Sequence, residues 1–210
     1  MKIAVVGATG ATGRSVLKRA LSGEHDVIAV ARRPERLNPA AWLSVVRGDV
    51  LSPGGLAGAF EGADAVISCI GPDTNFSPGT LMSSGTANIL AECKRARVRR
   101  FVMQSGINLT DGRELAWPNR LAVRIMRRIF AAAIADKAEA ERMTQNSQLE
   151  WVILRPVVMW DRPAAGHYTA GVRARVAPLS PISFKDCADC LLRAAVGEPD
   201  WTGQILNVGR

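Results

Sequence analysis

A glycine-rich loop near the amino terminus constrains the fold of this chain more than any other feature. Residues 7–13 read GATGATG and lie between an apolar run at 2–6 and a helical stretch at 14–21. Strand, glycine turn and helix in this order form a pyrophosphate-binding pattern, because glycines let a phosphate approach the backbone and the helix amino terminus offers free N–H groups. A glycine-rich turn without a ligand is the alternative. We expect the pyrophosphate to be held by Gly7, Thr9, Gly10, Ala11, Thr12 and Gly13.

Short β-rich runs alternate with longer helical segments along all 210 residues. This alternation is typical of βαβ units, and the nearly continuous apolar runs are typical of parallel strands covered on both faces. We predict one domain over 1–210, an α/β fold with a doubly wound, Rossmann-like parallel sheet. Open sheets of this kind bind ligands at the carboxyl ends of their strands. The predicted strands are 2–6, 26–31, 44–47, 65–70, 100–104, 150–155 and a last one near 205–208.

The residues after the second, third and fourth strands predict how a dinucleotide would be held. Arg32 and Arg33 follow the second strand, where an acidic residue would favour NAD and arginine accommodates the 2′-phosphate of NADP. We therefore predict NADPH as the cofactor, with two surface arginines as the alternative. After the third strand, Asp49 and Val50 are placed to contact adenine. After the fourth, Cys69, Ile70 and Gly71 bring backbone close to the nicotinamide half.

The composition and charge of the chain limit the kinds of partner that it is expected to bind. The chain is 48% hydrophobic and carries a formal net charge of +8, and no apolar run approaches the ~20 residues of a membrane span. Charge alone does not choose between nucleic acid, anionic lipid and a phosphorylated cofactor, but only Arg32 and Arg33 lie where the motif predicts a phosphate. We expect a cytoplasmic protein with a small-molecule substrate, no nucleic acid partner and no membrane insertion.

The four cysteines are expected to be free thiols, because nothing in the sequence indicates export to an oxidising compartment. Cys187 and Cys190 have the CxxC spacing of redox and zinc sites. The apolar residues that follow them instead favour a helix packed on the core. We predict no metal site.

Four segments resemble the atypical short-chain dehydrogenase/reductase superfamily and, within it, the biliverdin reductase B type of NADPH-dependent flavin reductase. They are residues 7–13, 48–50, 71–85 (GPDTNFSPGTLMSSG) and 161–169 (DRPAAGHYT). The resemblance implies an NADPH-dependent reductase with an open, apolar site for flat conjugated acceptors, formed by loops at about 72–85, 105–120 and 157–182. Further cofactor contacts that it implies are Met82, Ser105, Lys137, Pro156, Val157 and Val158.

The chain departs from its relatives at two positions. Better-known members of the superfamily use a Tyr-x-x-x-Lys pair, and here Ala133 stands in place of the tyrosine while Lys137 is kept. Hydride transfer to a flavin or quinone does not need that tyrosine acid. The biliverdin reductase B pattern also has a histidine where this chain has Val158, which argues against a tetrapyrrole substrate.

Three side chains are catalytic candidates. Ser105 would hydrogen-bond an acceptor carbonyl, Lys137 would reach the nicotinamide ribose, and Tyr168 lies in a loop that would overhang the acceptor. The alternatives are a serine that caps a turn, a solvated helix lysine and a tyrosine that packs against the core.

A basic amphipathic segment at 119–130 is expected to pack its apolar side on the core, with binding to a membrane surface or an acidic partner as the alternative. Trp117 and Pro118 before it are expected to line the acceptor pocket.

The leading hypothesis is an NADPH-dependent oxidoreductase that reduces flavin-like or quinone-like acceptors. The alternative is an NmrA-like redox sensor, in which the bound cofactor controls a partner and the basic segment contacts it. An epimerase is less favoured, because those relatives usually rely on the missing tyrosine. The sequence leaves the natural acceptor and the oligomeric state open.

Overall fold

The computed structural model describes residues 1–71, 79–110, 121, 124–125, 128, 130–177, 179–197 and 201–210. Within these residues the helices are α1 (Ala11–Ser22), α2 (Leu81–Arg95), α3 (Ala131–Gln145) and α4 (Phe184–Val196), with short 3₁₀ turns at Pro34–Arg36 and Ile107–Leu109. The strands are β1 (Lys2–Val6), β2 (Asp26–Ala31), β3 (Leu43–Arg47), β4 (Ala65–Ser68), β5 (Arg100–Gln104), β6 (Glu150–Pro156), β7 (Met159–Trp160), β8 (Thr169–Gly171), β9 (Ile182–Ser183) and β10 (Gln204–Gly209).

The central sheet has eight strands in the order β3-β2-β1-β4-β5-β6-β10-β8. Every pair in it is parallel except β8, which lies antiparallel to β10 at the edge and pairs Ala170 with Val208. The chain winds from β1 toward β3 on one side and from β4 toward β10 on the other. This confirms the predicted doubly wound α/β fold, and it puts the reversal of strand order between β1 and β4, where such sheets bind ligands.

The core consists of two layers, one on each face of the sheet. Ile3 and Val5 face the layer under α1 and α4, whereas Ala4 and Val6 face the layer under α2 and α3. All four side chains are almost fully buried, as expected for a parallel strand covered on both sides. β3 is the exception, since it lies at the open edge and stays partly exposed.

Two predictions about the strands need correction. β4 ends at Ser68 rather than at residue 70, because the chain leaves the sheet there to pass the glycine loop. The sheet also has an antiparallel edge strand, β8, which was not predicted, and β7 and β9 form a separate two-stranded sheet. Among the described residues, no helix has the length and apolar character needed to cross a membrane.

Candidate active site

A cleft of about 450 Å³ opens at the carboxyl edge of the sheet, where β1, β2 and β4 end. Its lining also includes Gly48 and Leu81, which belong to the segments 48–50 and 71–85 that carry the resemblance, and Leu51, which was not predicted from the sequence. The predicted cofactor residues that line it are Gly7, Thr9, Gly10, Arg32, Asp49, Val50, Cys69, Ile70 and Gly71.

The glycine loop shapes one wall of this cleft. Gly7 has a φ of +78°, a left-handed conformation that glycine adopts without strain. Gly10 is the N-cap of α1, makes no side-chain cap, and would place a Cβ no closer than 3.4 Å to the Gly7 carbonyl oxygen. The first helical hydrogen bond runs from the Arg14 N–H to the Gly10 carbonyl, so the N–H groups of residues 11–13 precede it. The helix therefore presents unpaired donors where an anion would bind.

Gly13 and Thr12 lie deeper than the sequence suggested. Gly13 is buried within the first turn of α1, and a Cβ there would overlap the Gly7 carbonyl oxygen and approach Ala8 Cα to 2.9 Å. The third glycine therefore permits close packing of the helix on the loop. Thr12 is 6% exposed, whereas Thr9 lines the cleft. Ala11 begins the helix and is exposed.

Arg14 links the glycine loop to the turn after β2. Its Nε donates to the Thr9 carbonyl at 3.0 Å and its Nη2 donates to the Arg36 carbonyl at 3.1 Å. Arg32, Arg33 and Arg36 are all exposed on or beside that turn. Arg14 was not predicted from the sequence, although its position directly after the last glycine of the motif is a usable signal.

Another wall of the cleft is formed by residues 48–51, which follow β3. Gly48 is buried, and a Cβ there would lie 2.6 Å from Val30 Cγ1, so the end of β3 packs tightly against β2. Asp49 Oδ1 accepts a hydrogen bond from the Leu51 N–H at 3.0 Å. The Val50 carbonyl accepts one from Asn88 Nδ2 at 2.7 Å. These bonds fix the backbone of residues 48–51 at the edge of the cleft.

A further wall of the cleft is formed by residues 69–71, which follow β4. Cys69 is half-buried, and burial raises the pKa of its thiol to about 12. A Cβ on Gly7 would lie 2.8 Å from the Cys69 carbonyl oxygen, so the two loops cross in close contact. Ile70 is 8% exposed and Gly71 is exposed.

Met82 lies at the start of α2 and is only 3% exposed. Its N–H donates to Asp136 Oδ2 at 2.9 Å, and the Ser83 N–H donates to Asp136 Oδ1 at 2.9 Å. A carboxylate on α3 therefore caps α2, an arrangement that the sequence did not reveal. Leu81, the neighbour of Met82, lines the cleft instead.

A buried polar network lies beyond the cleft, where β5 and β6 end. The Ser105 hydroxyl donates to Glu141 Oε1 at 2.5 Å. Arg155 donates from Nε to Glu141 Oε1 at 3.0 Å and from Nη2 to Glu141 Oε2 at 2.6 Å. Ser105 is 7% and Glu141 2% exposed. The only hydroxyl proton of Ser105 is committed to Glu141, so Ser105 presents acceptor lone pairs to a ligand.

Glu141 and Arg155 were missed by the sequence analysis. Two signals were available: Glu141 follows Lys137 by four residues and so shares its helix face, and Arg155 interrupts the apolar strand β6.

Lys137 lies beside this network. A Cβ on Gly106 would come within 3.1 Å of Lys137 Nζ and 3.0 Å of Asn108 Oδ1, so both groups lie against the turn after Ser105. Burial lowers the pKa of Lys137, while the charges of Glu141 and Asp136 act in the opposite direction. The structure therefore brings Ser105 and Lys137 to the same end of the sheet.

The structure does not place Tyr168 beside Ser105 and Lys137. Its hydroxyl donates to Asp189 Oδ2 at 2.6 Å and accepts from Arg193 Nη1 at 3.4 Å, both on α4. α4 packs with α1, while Lys137 belongs to α3, which packs with α2. The pKa of Tyr168 is raised, mainly by burial and further by the neighbouring Cys190 and Asp189. The phenol is thus a protonated group on the face of the sheet opposite Lys137.

The three predicted cofactor contacts at the end of β6 differ in their exposure to solvent. Pro156 and Val157 are buried, and Val158 is 43% exposed. The Val158 carbonyl accepts a hydrogen bond from the Ile182 N–H at 3.0 Å, which joins this segment to β9.

The four cysteines form no disulfide, and Cys187 and Cys190 are fully buried within α4. The pKa of Cys187 is raised well above its usual value, chiefly by burial. Among the described residues, no cluster of three or more histidine, cysteine, aspartate or glutamate side chains is arranged to hold a metal ion.

Some predicted parts of the acceptor pocket lie outside the described residues, namely residues 72–78, Trp117 and Pro118. Within the basic segment, Leu121, Arg124, Ile125, Arg128 and Phe130 are described; the first four are exposed and Phe130 is half-buried. Leu121 and Ile125 are each 50% exposed, so at these positions the apolar side does not pack on the core as expected.

Comparison with known proteins gives a family match over residues 7–197 to a model described as NAD(P)H-binding. An uncharacterized chloroplastic protein of Arabidopsis thaliana is 27% identical over 184 residues, which cover 79% of this chain and 62% of the relative. The chain spans 33% and 48% of the length of two further curated relatives. It is therefore shorter than the curated relatives that it matches.

Solved structures share the fold along the whole chain. A short-chain dehydrogenase/reductase of Veillonella parvula in complex with NADP has a TM-score of 0.80 at 18% identity, over 100% of this chain and 94% of that one. ChuY, an anaerobillin reductase of Escherichia coli O157:H7, has a TM-score of 0.80 at 22% identity, over 100% and 97%. At these identities the likeness establishes the fold alone.

Proposed function

The chain belongs to the NAD(P)H-binding family of Rossmann-type oxidoreductases, and we propose that it is an NADPH-dependent reductase of flat conjugated acceptors such as flavins and quinones. One observation carries the proposal. The glycine loop, Arg32, Asp49 and the segment 69–71 converge from separate elements on a single cleft at the switch point of the sheet. The first test is whether the purified protein oxidises NADPH.

The glycine loop fits a pyrophosphate. Gly10 leaves its side of the loop open, and the first turn of α1 offers N–H groups and contains no acidic residue to repel an anion. In this proposal the N–H groups of residues 11–13 hold the pyrophosphate, Thr9 adds a hydroxyl, and Gly7 and Gly13 keep the loop in place.

The arginines after β2 support NADPH rather than NADH. Arg32 lines the cleft, and Arg33 and Arg36 are exposed beside it. An exposed guanidinium can bind the 2′-phosphate through charge-assisted hydrogen bonds. Arg14 joins the loop that would hold the pyrophosphate to the turn that would hold the 2′-phosphate, so it is a positioning residue in this scheme.

The remaining predicted contacts follow the cleft. Asp49 Oδ1 is engaged by Leu51, and in our proposal Oδ2 accepts from the adenine amino group. Cys69, Ile70 and Gly71 would pass along the nicotinamide half, and Lys137 would reach its ribose. Met82, Pro156, Val157 and Val158 remain proposed contacts, with Val158 the most exposed of these four.

The chemistry follows from which groups are present near Ser105. NADPH supplies the hydride when bound. Ala133 occupies the place of the usual tyrosine acid, and Tyr168 is engaged on α4, so neither supplies a proton there. Ser105 would orient the nicotinamide amide or an acceptor N–H through its lone pairs. An acceptor that takes its proton from water suits such a site, and flavins and quinones meet that condition. The resemblance to biliverdin reductase B supports the same acceptor class.

The test measures NADPH oxidation with FMN, riboflavin, a simple quinone and an aldehyde as acceptors, with NADH in parallel. We expect turnover of the flavins or the quinone, a preference for NADPH, and little reduction of the aldehyde. Absence of turnover with every acceptor would reject the reductase.

An NmrA-like redox sensor is the second candidate, and one observation favours it. Leu121 and Ile125 are exposed beside Arg124 and Arg128, an apolar and basic surface that suits a partner. A sensor would bind NADP(H) without turnover and capture a partner only with one redox form of the cofactor. Turnover of a flavin with a kcat of about 1 per second or more, as is typical of enzymes, would contradict this candidate.

A further inference from the structure

Arg162 carries buried donors that no described residue satisfies. Its Nε and Nη2 atoms are buried and have no hydrogen-bond partner within the described part of the chain. Buried charged donors are almost always paired, because an unpaired one loses its hydration without compensation. Arg162 therefore offers two donors that an acceptor from outside the described residues would satisfy.

The two orphaned atoms identify the chemistry of that partner. The Nε–H and one Nη2–H bond of arginine are parallel and lie on one edge of the guanidinium. This edge matches the two oxygens of a carboxylate or phosphate in a bidentate contact. An oxyanion is thus the ligand class that completes Arg162.

The loop that carries Arg162 is held in place by Asp186, near the start of α4. Asp186 accepts from the Ala165 and Gly166 N–H groups, each at 3.1 Å, and from the Ser183 hydroxyl at 2.7 Å. Its carboxylate is 2% exposed and satisfied by these contacts. The loop is therefore fixed independently of Arg162, and Asp186 is fully used within it.

The loop also starts from the carboxyl edge of the sheet, the edge at which the cleft opens. It begins just after β7, in the connection that leaves β6 at the carboxyl edge of the sheet. Ser105 lies at the end of the adjacent strand, β5. The buried carboxylate behind Ser105, Glu141, is already bound by Ser105 and Arg155 and offers nothing to Arg162.

We propose that Arg162 binds an oxyanion of the acceptor, so that the protein prefers acceptors that carry a carboxylate or phosphate. This inference rests on the proposed reductase function and specifies its substrate class. Arg162 is a specificity residue in this account and takes no part in the hydride transfer.

The test compares pairs of ligands that differ only in the anion, using equilibrium binding to the NADP⁺-saturated protein. FMN is compared with riboflavin, and a naphthoquinone bearing a carboxylate with its uncharged parent, so that phosphate and carboxylate are distinguished. The variants are Arg162→Gln, Arg162→Lys and Lys94→Gln. Lys94 is exposed in the last turn of α2, at the other edge of the sheet, and controls for net charge.

We expect wild type and K94Q to prefer at least one charged ligand over its neutral partner by about tenfold or more, the worth of a charge-assisted contact. R162Q should lose that preference while binding the neutral ligand and NADP⁺ normally, and R162K should keep part of it. An unchanged preference in R162Q, or a loss of NADP⁺ affinity instead, would overturn the inference. Binding of neither charged ligand by wild type would also overturn it.

The same panel in turnover separates the two proposals. Anion-dependent binding without turnover of any acceptor would reject the reductase and retain the oxyanion site. Turnover of FMN and riboflavin that responds equally to R162Q would retain the reductase and reject the site.

Discussion

The Ser105 hydroxyl donates its proton to Glu141, a carboxylate that Arg155 also holds with two hydrogen bonds. Ser105→Ala removes one hydrogen bond and leaves Glu141 paired with Arg155, so we expect the free energy of unfolding to fall by about 1 kcal/mol. Glu141→Ala leaves Arg155 unpaired, so we expect it to lower the free energy of unfolding by about 3 kcal/mol or more. Urea unfolding of both variants and of the double variant measures this. Similar losses for the two single variants would contradict the network.

Gly10 and Gly13 should respond differently to alanine. A Cβ at Gly13 overlaps the Gly7 carbonyl, so we expect Gly13→Ala to destabilise the protein by about 2 kcal/mol or more. A Cβ at Gly10 has only the Gly7 oxygen nearby, at 3.4 Å, so Gly10→Ala should fold normally and lose NADP⁺ binding. Thermal unfolding and cofactor titration distinguish these outcomes. Normal cofactor affinity in folded Gly10→Ala would argue against a pyrophosphate at this loop.

Replacing Arg32 and Arg33 together with alanine tests the choice of cofactor. We expect NADPH affinity to fall by about 2 kcal/mol, roughly thirtyfold, and NADH affinity to stay unchanged, because only NADPH carries the 2′-phosphate. The matched control is Lys18→Ala combined with Lys94→Ala, since Lys18 on α1 and Lys94 on α2 are exposed and their loss also removes two positive charges. Equal losses for NADPH and NADH would show that the arginines do not recognise the 2′-phosphate.

Tyr168→Phe tests whether the lone tyrosine acts in the reaction. Its bond to Asp189 holds the loop to α4, so we expect the variant to lose about 1 kcal/mol of stability and to keep its kcat. Because the folded pKa is raised, the unfolded chain releases the proton first as pH rises through about 10, so the stability of wild type falls relative to the variant above that pH. A kcat lowered by a hundredfold or more would make Tyr168 catalytic.

The sequence predicted those parts of the molecule that local pattern determines. The strands Lys2–Val6, Asp26–Ala31 and Arg100–Gln104 have the predicted bounds, because each is a continuous apolar run with polar residues only at its ends. β7, β8 and β9 have only two or three residues, and pairing with distant strands defines them. Such short segments carry too few residues to show a periodicity.

The same distinction holds for the candidate site. Gly7 and Gly10 follow from spacing within one strand, turn and helix, and Arg32 follows from its position directly after the second strand. All three line the cleft. The contact between Ser105 and Glu141 spans 36 positions of sequence, and the capping of α2 by Asp136 spans more than 50. Contacts of this kind arise only when separate elements pack, so residue pattern alone did not reveal them.

The most direct test of the proposed hydride transfer is single-turnover oxidation of NADPH labelled with deuterium at the transferred position of C4, with FMN as the acceptor. We predict loss of the NADPH absorbance band at the same rate as reduction of the flavin, slowed by the deuterium. Tight NADPH binding without any oxidation, with FMN or with a quinone, would contradict the reductase and favour the sensor.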